Sequence, residues 1–149
     1  MKHLSKFAIL LLITLLSSVG CAKDEIYTGF FSETAASGYD VVSYFDTKTG
    51  PKEGREKFSV TWKKAEWYFI SAANLKAFKK SPEKYAPQYG GYCSYAVAHD
   101  YTASSDPEAW TIVKGKLYLN YSKEVRADWL KKRDQYISQA NKNWPGVLK

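Results

Sequence analysis

This chain of 149 residues holds only two cysteines, Cys21 and Cys93, and the residues ahead of the first read as an export signal. Residues 1–6 carry Lys2 and Lys6, residues 7–16 are almost wholly apolar, and Ser17-Ser18-Val19-Gly20 is small. That is the three-part order of a cleaved signal, with an apolar run too short to span a bilayer. Small domains sent to an oxidising compartment commonly lean on disulfides. Here at most one can form, and if Cys21 is consumed at the cleavage point, Cys93 has no partner within the chain. The domain must then be held by its core alone. The aromatic supply is adequate for such a core. All five Trp and all twelve Tyr lie after the signal, and each large ring can bury about 150–250 Å².

Cys21 follows Gly20 directly, which resembles the lipobox of bacterial lipoproteins, where this cysteine carries thioether-linked diacylglycerol. Ser18 stands where that motif usually has Leu. The competing reading is ordinary signal cleavage near Gly20 or Ala22, leaving a free protein. The lipobox resemblance implies a periplasmic or outer-membrane-anchored lipoprotein that meets the membrane surface through its lipid. Removing residues 1–20 leaves 129 residues, enough for one domain with one core. Lys2 and Lys6 leave with the signal, so 20 basic residues face 15 acidic ones. The lysines are spread, as Lys63-Lys64, Lys79-Lys80 and Lys131-Lys132-Arg133, and form no basic stripe with a reading element. Nucleic acid is therefore excluded as a partner, and the charge reads as solvated surface with weak attraction to anionic lipid.

Residues 21–37 read as the anchor cysteine and a mixed tether, with Thr28-Gly29-Phe30-Phe31 its only apolar point. The domain proper is expected over residues 38–149. Residues 46–57 form a polar loop. Phe58-Ser59-Val60-Thr61-Trp62 and Trp67-Tyr68-Phe69-Ile70 flank Lys63-Lys64-Ala65-Glu66 as a hairpin. Ser71 sits as the N-cap of a short helix over residues 72–80, with Leu75 and Phe78 turned inward and lysines at its C-terminal end. Pro82 starts a further helical turn. Trp110-Thr111-Ile112-Val113 and Leu117-Tyr118-Leu119-Asn120-Tyr121 form a second hairpin around Lys114-Gly115-Lys116. Ser122 caps one closing helix with Glu124 in its first turn and an apolar stripe of Val125, Trp129, Tyr136, Ile137 and Ala140, ended by Pro145-Gly146. The expectation is a small single α+β domain, two β-hairpins packed with a short helix and a C-terminal helix.

Phe69, Ser71, Phe78, Pro82 and Tyr85 fall in the register of an aromatic-Phe-Cys-Ser pattern followed by Phe and Pro-x-x-Tyr, and Asp40-Val41-Val42-Ser43 matches an Asp-Pro-Val-Cys. In these residues the chain resembles the YHS domain, which is related to TRASH-like metal-binding modules. The match covers roughly residues 38–86. The remainder, including Gly90-Gly91-Tyr92-Cys93 and Asn143-Trp144-Pro145-Gly146, looks like an exported bacterial subgroup of YHS domain-containing proteins with selenoprotein members. The resemblance implies binding of a transition metal, copper or zinc. At the family's cysteine positions, however, this chain has Ser43, Ile70 and Asn74.

The segment with the strongest chemical content is Gly90-Gly91-Tyr92-Cys93-Ser94-Tyr95-Ala96-Val97-Ala98-His99-Asp100-Tyr101. Paired glycines allow positive φ or close backbone approach. They lead to Cys93, with His99, the only histidine after the signal, six residues on. Thiolate and imidazole suit Zn²⁺ or copper, and Asp100 can add oxygen, so Cys93, His99 and Asp100 are the candidate metal ligands. A second reading makes Cys93 a redox thiol activated by His99. A third makes it a small buried hydrophobe in a purely structural or interaction module of the envelope. Asp106-Pro107-Glu108 reads as a turn, with Asp106 bonding backbone amides, before it reads as an acid–base pair. No G-x-S-x-G, P-loop, H-E-x-x-H or dinucleotide glycine pattern occurs, so the sequence points to binding before catalysis.

The mature chain is expected to begin at Cys21 with acyl chains attached, and Cys21→Ala should release it from the membrane fraction. Intact-mass analysis checks this; an unmodified N-terminus at Ala22 or Lys23 is the contrary result.

Overall fold

The structure, a computed structural model, describes residues 22–149. The expected export signal and the expected lipidation position, Cys21, lie outside the described residues. The two hairpins form, with longer first strands and tighter turns than expected: residues 55–57 belong to a strand and not to the polar loop, and Ala65 and Glu66 to a strand and not to the turn. Strand β1 (Arg55–Trp62) pairs antiparallel with β2 (Ala65–Phe69), and β3 (Asp106–Val113) with β4 (Lys116–Asn120). Each turn holds two residues of positive φ, Lys63-Lys64 and Lys114-Gly115, as a tight two-residue hairpin turn requires. Each first strand carries an irregularity in its pairing, between Arg55 and Ser59 and between Asp106 and Trp110.

Helix α1 (Ala72–Lys80) starts where Ser71 accepts a hydrogen bond from the Asn74 amide at 3.1 Å, and α2 (Pro82–Tyr85) follows with Pro82 in its first turn. Phe78 is fully buried and Leu75 half-buried. A short helix α3 (Ser94–Ala98) precedes β3. Ser122 caps α4 (Lys123–Lys131), accepting from the Val125 amide at 3.2 Å.

The single closing helix expected from the apolar stripe is two helices. The chain breaks at Lys132 and resumes as α5 (Arg133–Asn143). The break lets the two halves bury different faces. Helix α4 lies on the β3–β4 hairpin and sinks Trp129 completely, whereas α5 packs on α3 and buries Ala140. One straight helix would not reach both surfaces.

Strand β4 is the wall between two clusters. Its alternation sends Leu117 and Leu119 into a core with Trp67, Phe69, Phe78, Val41 and Tyr44. It sends Tyr118 the other way, onto Trp129 (ring centroids 5.5 Å apart), Tyr89 and Tyr92. In the first core Phe78 packs against Trp62, Trp67 and Phe69 at 5.0–5.7 Å. Removing such a buried ring typically costs about 3–5 kcal/mol.

Residues 22–37 are not a tether. Ile26, Ala35 and Ala36 are buried in the first core, and the segment is stitched down by backbone hydrogen bonds. The Lys23 amide donates to Leu148 O at 2.8 Å, the Tyr27 amide to Gly90 O at 2.9 Å, and the Glu66 amide to Glu33 O at 2.8 Å. The domain therefore extends from residue 22, ahead of the expected boundary at residue 38. Composition hid this, because Ile26 is a lone apolar residue among polar ones and backbone pairing leaves no mark on side-chain pattern.

Gly90 explains why the segment can lie there. A Cβ on it would come 1.7 Å from Glu25 O, and its φ is +61°. The expectation of close backbone approach at the paired glycines is met, and the approaching partner is the chain's own N-terminal segment. Among the described residues no helix is long and apolar enough to cross a membrane.

Three buried phenols tie distant segments. Tyr44 donates to Pro107 O at 2.7 Å, Tyr89 to Asn141 Oδ1 at 2.8 Å and Tyr92 to Asp24 O at 2.9 Å. Burial raises all three above the ordinary 10.0. An ionised phenol cannot donate, and the unfolded chain loses these protons first. Their contribution is thus complete below about pH 10 and is lost as pH rises beyond it. Urea midpoints are expected to hold steady from about pH 7 to 9 and to fall above about pH 10; a flat profile to about pH 11 is the contrary result.

Candidate functional site

Four polar side chains are buried among the described residues, Asp40, Ser43, Ser94 and Asn120, and they fall in two places. The first is the region that resembles the metal frame. Asp40 is fully buried, and its carboxyl accepts four hydrogen bonds. Oδ1 takes the amides of Val42 at 2.8 Å and Ser43 at 3.3 Å. Oδ2 takes the Ile70 amide at 2.9 Å and Asn74 Nδ2 at 2.7 Å. Ser43 Oγ donates to Asp40 O at 2.6 Å and accepts from the Lys52 amide at 3.1 Å.

The three positions where the resembled family carries cysteine thus meet around one carboxyl, and each bonds to Asp40. A carboxyl has about four lone-pair positions, and all are spent on N–H donors. Serine, isoleucine and asparagine supply no thiolate, and the Asn74 side chain turns a donor inward. This frame does not fit copper or zinc.

The second place is Cys93. The turn at Gln88–Gly91 delivers the chain to Cys93, which is the N-cap residue of α3 and 1% exposed. Its amide donates to Ala103 O at 3.0 Å. Sγ lies 3.9 Å from Asn120 Oδ1, which also accepts from the Tyr95 amide at 3.1 Å. Burial pushes the thiol above its ordinary 9.0, outweighing the backbone amides that draw it down. A thiol so placed is not the depressed-pKa kind that reacts at neutral pH.

His99 is the C-cap of the same helix, at its other end and exposed. Its Nδ1 lies 2.8 Å from Tyr95 O, and its ring stacks on Tyr95 at 4.3 Å with Tyr136 at 5.4 Å. Asp100 follows at φ +64°, also exposed. Helix α3 therefore holds the buried sulfur and the exposed imidazole at opposite ends. The candidate set Cys93, His99 and Asp100 is not brought together as three ligands of one ion. Among the described residues no group of three or more His, Cys, Asp or Glu side chains is placed to hold a metal.

What Cys93 does border is a hollow of about 270 Å³ lined by Cys93, Tyr95, Tyr101, Ala103, Tyr121 and Val125. Tyr101 and Tyr121 at its rim are 51% and 57% exposed. Among the described residues Ser94 Oγ, Asn120 Nδ2 and Trp129 Nε1 are buried without a protein partner. Sequence reasoning missed Asn120 and Ser94. The available signal was an asparagine closing an otherwise apolar strand, where that residue type is depleted. Asp106 bonds a backbone amide as expected, accepting from Glu108 at 2.8 Å, but Asp106-Pro107-Glu108 opens strand β3 and is not a turn. Compared with known proteins, the chain matches no family model, no curated protein and no solved structure.

Asp40→Ala would leave the Val42 and Ile70 amides and the Asn74 side chain without their acceptor. Each unsatisfied buried group costs about 1–3 kcal/mol, so a loss of about 3 kcal/mol is expected in urea unfolding. Asp40→Asn, which keeps one acceptor oxygen, should fall between that variant and the parent. A loss below about 0.5 kcal/mol for Asp40→Ala would show that the knot is not a stabilising centre.

Proposed function

We propose that the mature chain is an exported, lipid-anchored binding module of the cell envelope that uses a YHS-type frame for architecture and engages its partner through an aromatic surface. The observation that carries this reading is the Asp40 carboxyl, which consumes as hydrogen-bond donors the positions where thiolates would bind an ion. Two further features support it. The thiol at Cys93 is buried and held protonated, and its nearest imidazole sits at the far end of α3. The rim tyrosines Tyr101 and Tyr121 combine apolar area with a polar tip, the residue type that dominates binding surfaces.

One observation favours a second reading. Cys93 borders the Tyr101–Tyr121 hollow, so its sulfur is near a surface from which a soft ion or an oxidant could reach it. In that reading the chain handles copper or zinc through Cys93 with His99, or works as a thiol redox protein.

Thiol titration and calorimetry on the purified chain separate these. The binding-module reading expects Cys93 to label only after unfolding, and expects no Cys93-dependent heat with Cu(I) or Zn²⁺. Stoichiometric binding abolished by both Cys93→Ser and His99→Ala would install the metal reading. Rapid native labelling with a depressed apparent pKa would install the redox reading.

A further inference from the structure

Phe30 and Phe31 are the most exposed large apolar side chains among the described residues, at 92% and 95%. Their rings meet edge to face at 4.7 Å, in a loop that turns through Gly29 at φ +83°. Two adjacent phenylalanines this open do not belong to either core. The rest of the segment, by contrast, is fastened: Ile26 is buried and Tyr27 bonds to Gly90. A rigidly based loop thus holds two rings outward.

The location of the loop says what it meets. A hollow of about 560 Å³ is bordered at once by Ala22 and Lys23, where the described chain begins, and by Gly29 and Phe30. Residue 22 directly follows the cysteine that the sequence marks for lipidation. The point at which the chain leaves the domain toward its anchor and the Phe30–Phe31 tip therefore share one face. Tyr27 and Tyr92 line the same hollow, with ring centroids 5.2 Å apart, and tyrosine favours the boundary between water and lipid.

Charge on this face is balanced. Around the two hollows beside the loop Lys23, Lys63 and Lys64 are set against Asp24 and Glu33, and Lys63 is paired with Glu25 at 2.5 Å. Attraction to anionic headgroups therefore does not dominate, and apolar insertion does.

We propose that Phe30 and Phe31 form a membrane-inserting tip that seats in the headgroup and upper acyl region of a phospholipid bilayer. The tip supplements the lipid on Cys21 as a second contact and fixes how the domain stands on the membrane. A lipid at one attachment point leaves a domain free to turn about it. Two rings beside it hold one face down and turn the rest of the surface toward the aqueous space. The proposal rests on the lipid-anchored reading for its setting, but the tip's contact with lipid is tested separately.

The experiment uses the full exported chain carrying Ser32→Cys, labelled with an environment-sensitive fluorophore and reconstituted in phosphatidylethanolamine–phosphatidylglycerol vesicles. Ser32 is exposed and leaves both rings intact, and Cys93 is buried. Doxyl-labelled lipid is expected to quench the probe at position 32 but not one at Thr49→Cys, which is exposed in the polar segment ahead of β1. Quenching should persist in high salt and should vanish when Phe30→Ser and Phe31→Ser are added. Absent quenching at 32, equal quenching at both positions, or loss in high salt would overturn the proposal. Intact mass reports on Cys21 independently. If the N-terminus proves unmodified, the anchor reading fails and the tip is tested on the released protein. There the double serine change should weaken partition into the same vesicles about tenfold to a hundredfold, and an unchanged partition would overturn the tip.

Discussion

A single buried carboxyl sets the geometry of the first half of the domain. Asp40 reaches the start of its own turn through the Val42 and Ser43 amides, the end of β2 through the Ile70 amide, and α1 through Asn74. These three segments cannot move independently while that group remains satisfied. With them fixed, β2 presents Ala65, Trp67 and Phe69 to the interior, and α1 lays Phe78 across the aromatic faces. Burying a carboxyl is costly unless every acceptor position finds a donor. Here each does, and the requirement itself fixes how the three segments meet.

The second half depends on it less directly, through β4. With Leu117 and Leu119 committed to the first core, Tyr118 and Asn120 must face the other way. Trp129, the paired glycines and α3 then assemble around them. No crosslink restrains this arrangement among the described residues, where Cys93 is a free thiol. The hydrogen bonds of the three buried phenols span 52 to 68 residues of sequence instead. The N-terminal segment completes the assembly by closing over Gly90. That closure explains why a glycine pair with the look of a ligand loop serves the chain's own backbone.

The distribution of chemistry follows from this construction. The carboxyl of Asp40 and the thiol of Cys93 are interior, whereas His99 and Asp100 are exposed. Aromatic side chains also face outward: Tyr101 and Tyr121 beside the Cys93 hollow, and Phe30 and Phe31 beside the chain's entry.

Much of the architecture was legible in the sequence, because it is encoded locally. The Ser71 and Ser122 caps, the positions of the two hairpins though not the tightness of their turns, and the alternation of Trp67, Tyr68 and Phe69 each follow from near-neighbour sterics and hydrogen bonding. The expectation of an export signal ahead of Cys21 also came from contiguous residues, and it lies outside the described residues. Tertiary structure alone decided the rest. It folded residues 22–37 into the domain through backbone hydrogen bonds that no side-chain pattern records. It broke the closing helix at Lys132 so that two different surfaces could be covered. It set Cys93 and His99 at opposite ends of α3, although their spacing in sequence suggested partnership. It also gathered Ser43, Ile70 and Asn74 around Asp40, the last two from 30 and 34 residues away. Local physics fixes which elements form, but which buried donors and acceptors find each other is settled only when the whole chain has closed.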